Sequence, residues 1–70
     1  MSKLRVNYDA KSDVLYLVIK EGREEAFIEV ADGINVELGP DGELLGIEIL
    51  NASKLMSSIK EAQRIARQAA

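Results

Sequence analysis

The run DGINVELGPDGELLGIEILNASKLMSSIKEAQRIARQAA, residues 32–70, decides the fold. Asp32-Gly33 separates an alternating segment, Ala26–Ala31, from a second one, Ile34–Leu38, and two residues of this type between alternating runs are a strong hairpin signal. Gly39-Pro-Asp-Gly42 predicts the next turn, with proline setting φ early and glycine supplying positive φ late. The strand that follows, Glu43–Leu50, puts Leu45, Ile47 and Ile49 on one face. From Asn51 onward the apolar period lengthens from two to about three and a half. Ala52, Leu55, Met56, Ile59, Ala62, Ile65, Ala66 and Ala69 recur at helical spacing, with Lys54, Ser57, Lys60, Arg64 and Arg67 on the other side. This predicts a helix over 52–68, roughly 25 Å long, capped by Asn51 or Ser53. Arg64 and Arg67 complement the negative end of its dipole.

Upstream, Leu4, Val6 and Tyr8 alternate with Arg5, Asn7 and Asp9, the period of a strand with one buried face. Asp9–Ser12 reads as a polar turn. Val14–Ile19 is apolar at every position and so predicts a central strand covered on both faces, and Lys20–Glu25 is a charged loop. The expected class is α+β: an antiparallel β-meander of four to five strands with one C-terminal α-helix packed on one face, residues 1–70 forming a single domain.

One helix covers one side of a sheet. The second side is left with one parity of Val14–Ile19 together with Phe27 and Leu44, an apolar cluster that would face water in a monomer. Contiguous exposed apolar surface marks an interface, and a self-complementary patch closes most often as a two-fold dimer. The predicted interface is Leu15, Leu17, Ile19, Phe27, Leu44 and Glu48, in a homodimer. Glu48, the one charge inside an apolar strand, is expected to meet Arg5, Arg23 or a symmetry mate. Tyr8 and Tyr16 are expected to lend bulk to an otherwise aliphatic core. Gly46 predicts a bulge or a close backbone approach where the helix crosses the sheet.

The composition is 47% apolar and 30% charged, which excludes a disordered chain. With no cysteine and no histidine, disulfides and thiolate metal sites are excluded, and the commonest general base and zinc ligand are both missing. The start MSKLRV has no apolar leader core, and Val14–Ile19 is far too short to span a bilayer, so a cytoplasmic protein without membrane contact is expected. Residues 1–50 carry eleven acidic and five basic side chains, a sum of -6, whereas residues 51–70 carry one and four, a sum of +3. Lys54, Lys60, Arg64 and Arg67 form a basic stripe, and nucleic-acid binding through it is the alternative function. A pI near 4.8 and the lack of an aromatic residue beside the stripe weigh against that alternative.

Three motifs bear on chemistry. Ser57-Ser-Ile-Lys60 has the Ser-x-x-Lys form of penicillin-binding enzymes but lacks their companion motifs, and reads as a solvated helix face. Gly39-Pro-Asp-Gly42 has the form of a nucleic-acid clamping loop, yet it joins strands and carries Asp41 beside Glu43, which repel phosphate. The pairs Asp9 and Asp13, Asp32 and Glu37, and Asp41 and Glu43 do not match a calcium loop. No catalytic residue, cofactor or metal ligand is assigned, and an enzyme is not expected.

Asn7-Tyr8-Asp9, Asp13-Val-Leu-Tyr16-Leu17, Asp32-Gly-Ile-Asn-Val36 and Gly42-Glu-Leu-Leu-Gly46-Ile-Glu-Ile49, followed by Asn51-Ala-Ser53, resemble domain of unknown function 2283, a family of small bacterial and archaeal proteins. The resemblance runs from about Leu4 to Leu55, and the Gly-Ile-Glu-Ile segment before Ala-Ser is its most specific part. It supports the fold and implies no catalytic residues. Some members resemble neighbours of toxin genes, which implies an antitoxin-like, partner-binding role. The chain departs from the family at Ala10, where proline is frequent after Tyr-Asp, and at Asn51, where aspartate is frequent. The expectation is therefore a non-enzymatic homodimeric domain that acts through protein contacts.

Overall fold

A computed structural model describes residues 4–69, and residues 1–3 of the N-terminal segment lie outside the described residues. Five strands precede one helix: β1 (Arg5–Asp9), β2 (Val14–Val18), β3 (Ala26–Ala31), β4 (Ile34–Leu38), β5 (Leu44–Leu50) and α1 (Ala52–Ala69). They form one antiparallel sheet in the order β1-β2-β5-β4-β3. The α+β class, the antiparallel pairing and the C-terminal helix are as the sequence predicts. Gly33 and Gly42 sit at φ 75° and 78°, the left-handed region that the two predicted turns require.

The order is not that of a simple meander. The Lys20–Glu25 connection carries the chain from β2 to the far edge of the sheet, so β3 and β4 form there and β5 returns to fill the centre beside β2. The returning strand carries an extra residue. Glu37 pairs with Gly46 and Leu38 with Leu44, which leaves Leu45 as a bulge. Its carbonyl accepts the N–H groups of Ile19 and Lys20 at 2.8 and 3.1 Å, and the loop folds over its side chain at Gly22. Leu45 is thereby 6% exposed, and it and Ala52 are the two buried apolar residues among those described.

Register decides what each face carries. Val6 faces Leu17, Leu17 faces Ile47, Ile47 faces Val36 and Val36 faces Ile28, so one row across all five strands is aliphatic. Tyr8, Leu15, Ile49 and Ile34 make a second row on the same side. On the opposite side the central row is Asn7, Tyr16, Glu48 and Asn35, with Glu29 beyond it. One face is apolar and the other is polar at its centre.

Here the structure departs from the expectation that the helix covers one face. Of α1 only Ala52 is buried, while Leu55, Met56, Ile59 and Ile65 are all exposed, Ile65 at 54%. The helix forms no packed layer with the strands. The chain's radius of gyration shows the consequence: 14.6 Å, against about 11 Å for a compact chain of this length, with a longest dimension of 45 Å. The apolar face is therefore uncovered over most of its area, and Val6 and Val30 at its margins are each 58% exposed.

Candidate functional site

Two arrangements of side chains stand out, one on each side of the sheet. The first begins at the β1–β2 turn, where Asp13 adopts φ 58°. Asp13 caps a helix forty positions away. Its carboxylate accepts the Ser53 N–H at 3.0 Å and the Ser53 hydroxyl at 2.6 Å, and its backbone carbonyl accepts the Ala52 N–H at 3.0 Å. The Tyr8 hydroxyl donates to the same carboxylate at 2.6 Å. The first N–H groups of a helix have no partner within it, and an acidic side chain there also complements the positive end of the dipole. Hydrogen bonds from Ser53 first, and then from Tyr8, hold the Asp13 carboxyl below its ordinary pKa. Asn51, expected as a cap, instead takes φ 52° and turns the chain from β5 into α1.

Two clefts flank the helix where it leaves the sheet. The wider, about 440 Å³, is bordered by Tyr8, Leu15, Met56 and Lys60. The other, about 240 Å³, lies between Ile34, Ile49 and Leu55. Tyr8 and Leu15 in the wider cleft and Ile34 and Ile49 in the other belong to the apolar face, and the helical lining ends at Lys60 in the wider cleft and at Ser58 in the other. Ser57 and Lys60 border the wider cleft, and no hydrogen bond joins them. The Ser58 hydroxyl is turned back to the Lys54 carbonyl at 3.2 Å.

The polar face carries the second arrangement. Asn35, buried, donates its side-chain amide to the Glu48 carboxylate at 3.0 Å. Tyr16 lies across from Glu48, and its phenol is pushed up to about 12, first by hydrogen bonding to that carboxylate, then by burial and by the charges of Glu48, Glu37 and Glu24. Glu37 is raised by burial, with Glu24 and Glu48 adding to the effect. Glu48 thus meets Tyr16 and Asn35, whereas Arg5 pairs with Glu21 at 2.9 Å and Arg23 with Glu25 at 2.8 Å. Gly46 serves this face and not a helix crossing: a Cβ there would stand 3.1 Å from the Leu17 carbonyl and 3.4 Å from the Glu37 carboxylate.

This network has a measurable titration. In a Tyr8→Phe background, where a single phenol reports, Glu48→Ala is expected to return Tyr16 from about 12 toward its ordinary 10, read by tyrosinate absorbance. Between those values the native state keeps a proton that the unfolded chain loses. The contribution of Tyr16 to stability is present below pH 10 and lost as pH rises through about 12, and the variant should show a smaller loss in that window.

The predicted interface residues divide between the two faces. Leu15 and Leu17 lie on the apolar face, opposite Ile49 and Ile47. Leu44 joins them there, paired with Leu38 because the bulge at Leu45 reverses the alternation, whereas Phe27 and Glu48 lie on the other face, Phe27 across from Glu37. Ile19 falls beyond the end of β2 and donates its N–H to Leu45. Tyr8 and Tyr16, expected in one core, point to opposite faces and are both exposed. The basic stripe is exposed along α1, and Arg64 in it is engaged by Glu61 and Gln68. Among the described residues, no three acidic side chains cluster as a metal site would need, and no helix is long and apolar enough to cross a membrane.

Comparison with known proteins adds a family and no chemistry. A family model described as protein of unknown function (DUF2283) matches residues 5–53, which takes in the whole sheet and the first two residues of α1. An uncharacterized protein of Methanocaldococcus jannaschii is 42% identical over 55 residues, 79% of this chain and 47% of that protein, so the chain spans about half the length of the curated relative it matches. No solved structure matches significantly.

Proposed function

The chain belongs to the DUF2283 family of proteins of unknown function, and from that premise we propose that it is a non-enzymatic domain that self-associates as a homodimer and acts through protein contacts. The observation that carries this reading is the uncovered apolar face. Val6, Leu17, Ile47, Val36 and Ile28 form a continuous aliphatic row that no other part of the described chain overlies. A soluble monomer rarely exposes such a patch, because apolar area left in water costs about 25 cal/mol per Å² relative to burial. The polar face offers no comparable drive, since Tyr16, Glu48 and Asn35 interrupt it at its centre.

Sedimentation velocity across a micromolar concentration series tests the reading directly. A dimer that dissociates on dilution is the expected result. A single species of about 7.7 kDa throughout would overturn it.

A further inference from the structure

We infer that the C-terminal helix of each protomer lies on the apolar sheet face of a second copy, so that the dimer forms by reciprocal exchange of α1. This rests on the self-association proposed above and names the surfaces that meet. The chain leaves two apolar surfaces without a partner, the sheet face and the stripe Leu55, Met56, Ile59 and Ile65 of the helix. The exposed area gives the scale of what is missing. A compact monomer of 7.7 kDa exposes about 4,300 Å², whereas this chain exposes 5434 Å². The excess of roughly 1,100 Å² exceeds the approximately 800 Å² that each partner buries in an interface of standard size.

The helix start argues against self-coverage. Asp13 holds the Ser53 and Ala52 N–H groups and the Ser53 hydroxyl, so α1 leaves the sheet in a direction set by three hydrogen bonds. Laying the helix back on its own sheet would break them. Charge then chooses between the remaining arrangements. Residues 1–50 sum to -6 and residues 51–70 to +3, so stacking sheet on sheet opposes like charges, while helix on sheet joins opposite ones. Size agrees as well: eighteen helical residues span about 27 Å, and five strands about 19 Å between the outermost axes. Exchange about a two-fold axis satisfies both surfaces of both chains at once and leaves no open end.

The chain has no native cysteine, so engineered thiols report on contacts without interference. Full-length Val36→Cys and Ile65→Cys chains are mixed, oxidised and separated under denaturing conditions. The expected product is the mixed disulfide, in several-fold excess over either homodimer. An excess of Val36-to-Val36 product would mean sheet-on-sheet stacking, and an excess of Ile65-to-Ile65 product would mean helix pairing. Either result overturns the exchange while leaving self-association standing. Closure within one chain of the double variant, with no product between chains, overturns it in favour of a helix folded on its own sheet. Isotope-filtered NMR on a mixture of labelled and unlabelled unsubstituted chains gives the same answer if the thiol variants fail to fold: contacts between Ile65 and Val36 methyls must cross between chains. A chain that sediments only as a monomer removes the proposed function itself, a separate failure.

Discussion

Ile47→Asp is expected to weaken self-association at least about a hundredfold, because a carboxylate buried in an apolar contact without a partner costs on the order of 3 kcal/mol or more. Ile47 is the central side chain of the apolar row, on the central strand, with Leu17 and Val36 across from it on either side. In an isolated chain this position is only half-buried, so water can reach the new carboxylate and the substitution has little to oppose it. In a dimer it lies where both surfaces are dry. The two situations give opposite readouts in sedimentation: the dimer shifts to monomer at concentrations where the parent remains associated, or nothing changes. Asn7→Asp is the control, since it adds the same charge on the polar face of the edge strand and should leave the association intact. An unaltered Ile47→Asp dimer would place the contact elsewhere on the molecule.

Leu45→Ala has the largest expected effect on stability. Removing a buried leucine costs about 2–5 kcal/mol through lost transfer energy and the cavity left behind. A single core in a chain this short rarely supplies more than about 3–5 kcal/mol. Leu45 is the one large apolar side chain among the described residues that is well buried, and the loop over it delivers the chain to the far edge of the sheet. Its loss therefore loosens the step that positions β3. The variant should be mostly unfolded by circular dichroism when dilute and should regain structure as concentration rises, because association draws on the folded form. A denaturation midpoint within about 1 kcal/mol of the parent would show that the Lys20–Glu25 loop contributes little packing there.

The features legible in the sequence are the ones encoded within a few residues. Asp32-Gly33 and Gly39-Pro-Asp-Gly42 name their turns because left-handed φ suits glycine, and the structure has both glycines there. The helix is legible from Ala52 because its apolar spacing changes at one point. Asp13 as its cap is not, since forty positions separate the carboxylate from the N–H groups it accepts, and Asp13 reads as an ordinary turn residue. The same holds for Glu48. Its place in an apolar strand singles it out, yet its partners Asn35 and Tyr16 come from the two neighbouring strands and follow from pairing alone.

Parity within a strand is a local property, and its assignment to a face is not. Val14–Val18 offers two alternating sets, and the register that sets Leu15 opposite Ile49 sends the odd set to the apolar side, away from Phe27. From the chain itself came the α+β class, the turn positions, the terminal helix and the absence of cysteine and histidine chemistry, all carried by residue type and short-range spacing. Tertiary structure alone decided that β5 fills the centre of the sheet, that one face is apolar, and that α1 leaves most of that face uncovered. The physical reason is one of range: backbone preference and periodicity act over a turn or a hairpin, whereas register and coverage depend on groups that meet only after the chain has closed on itself.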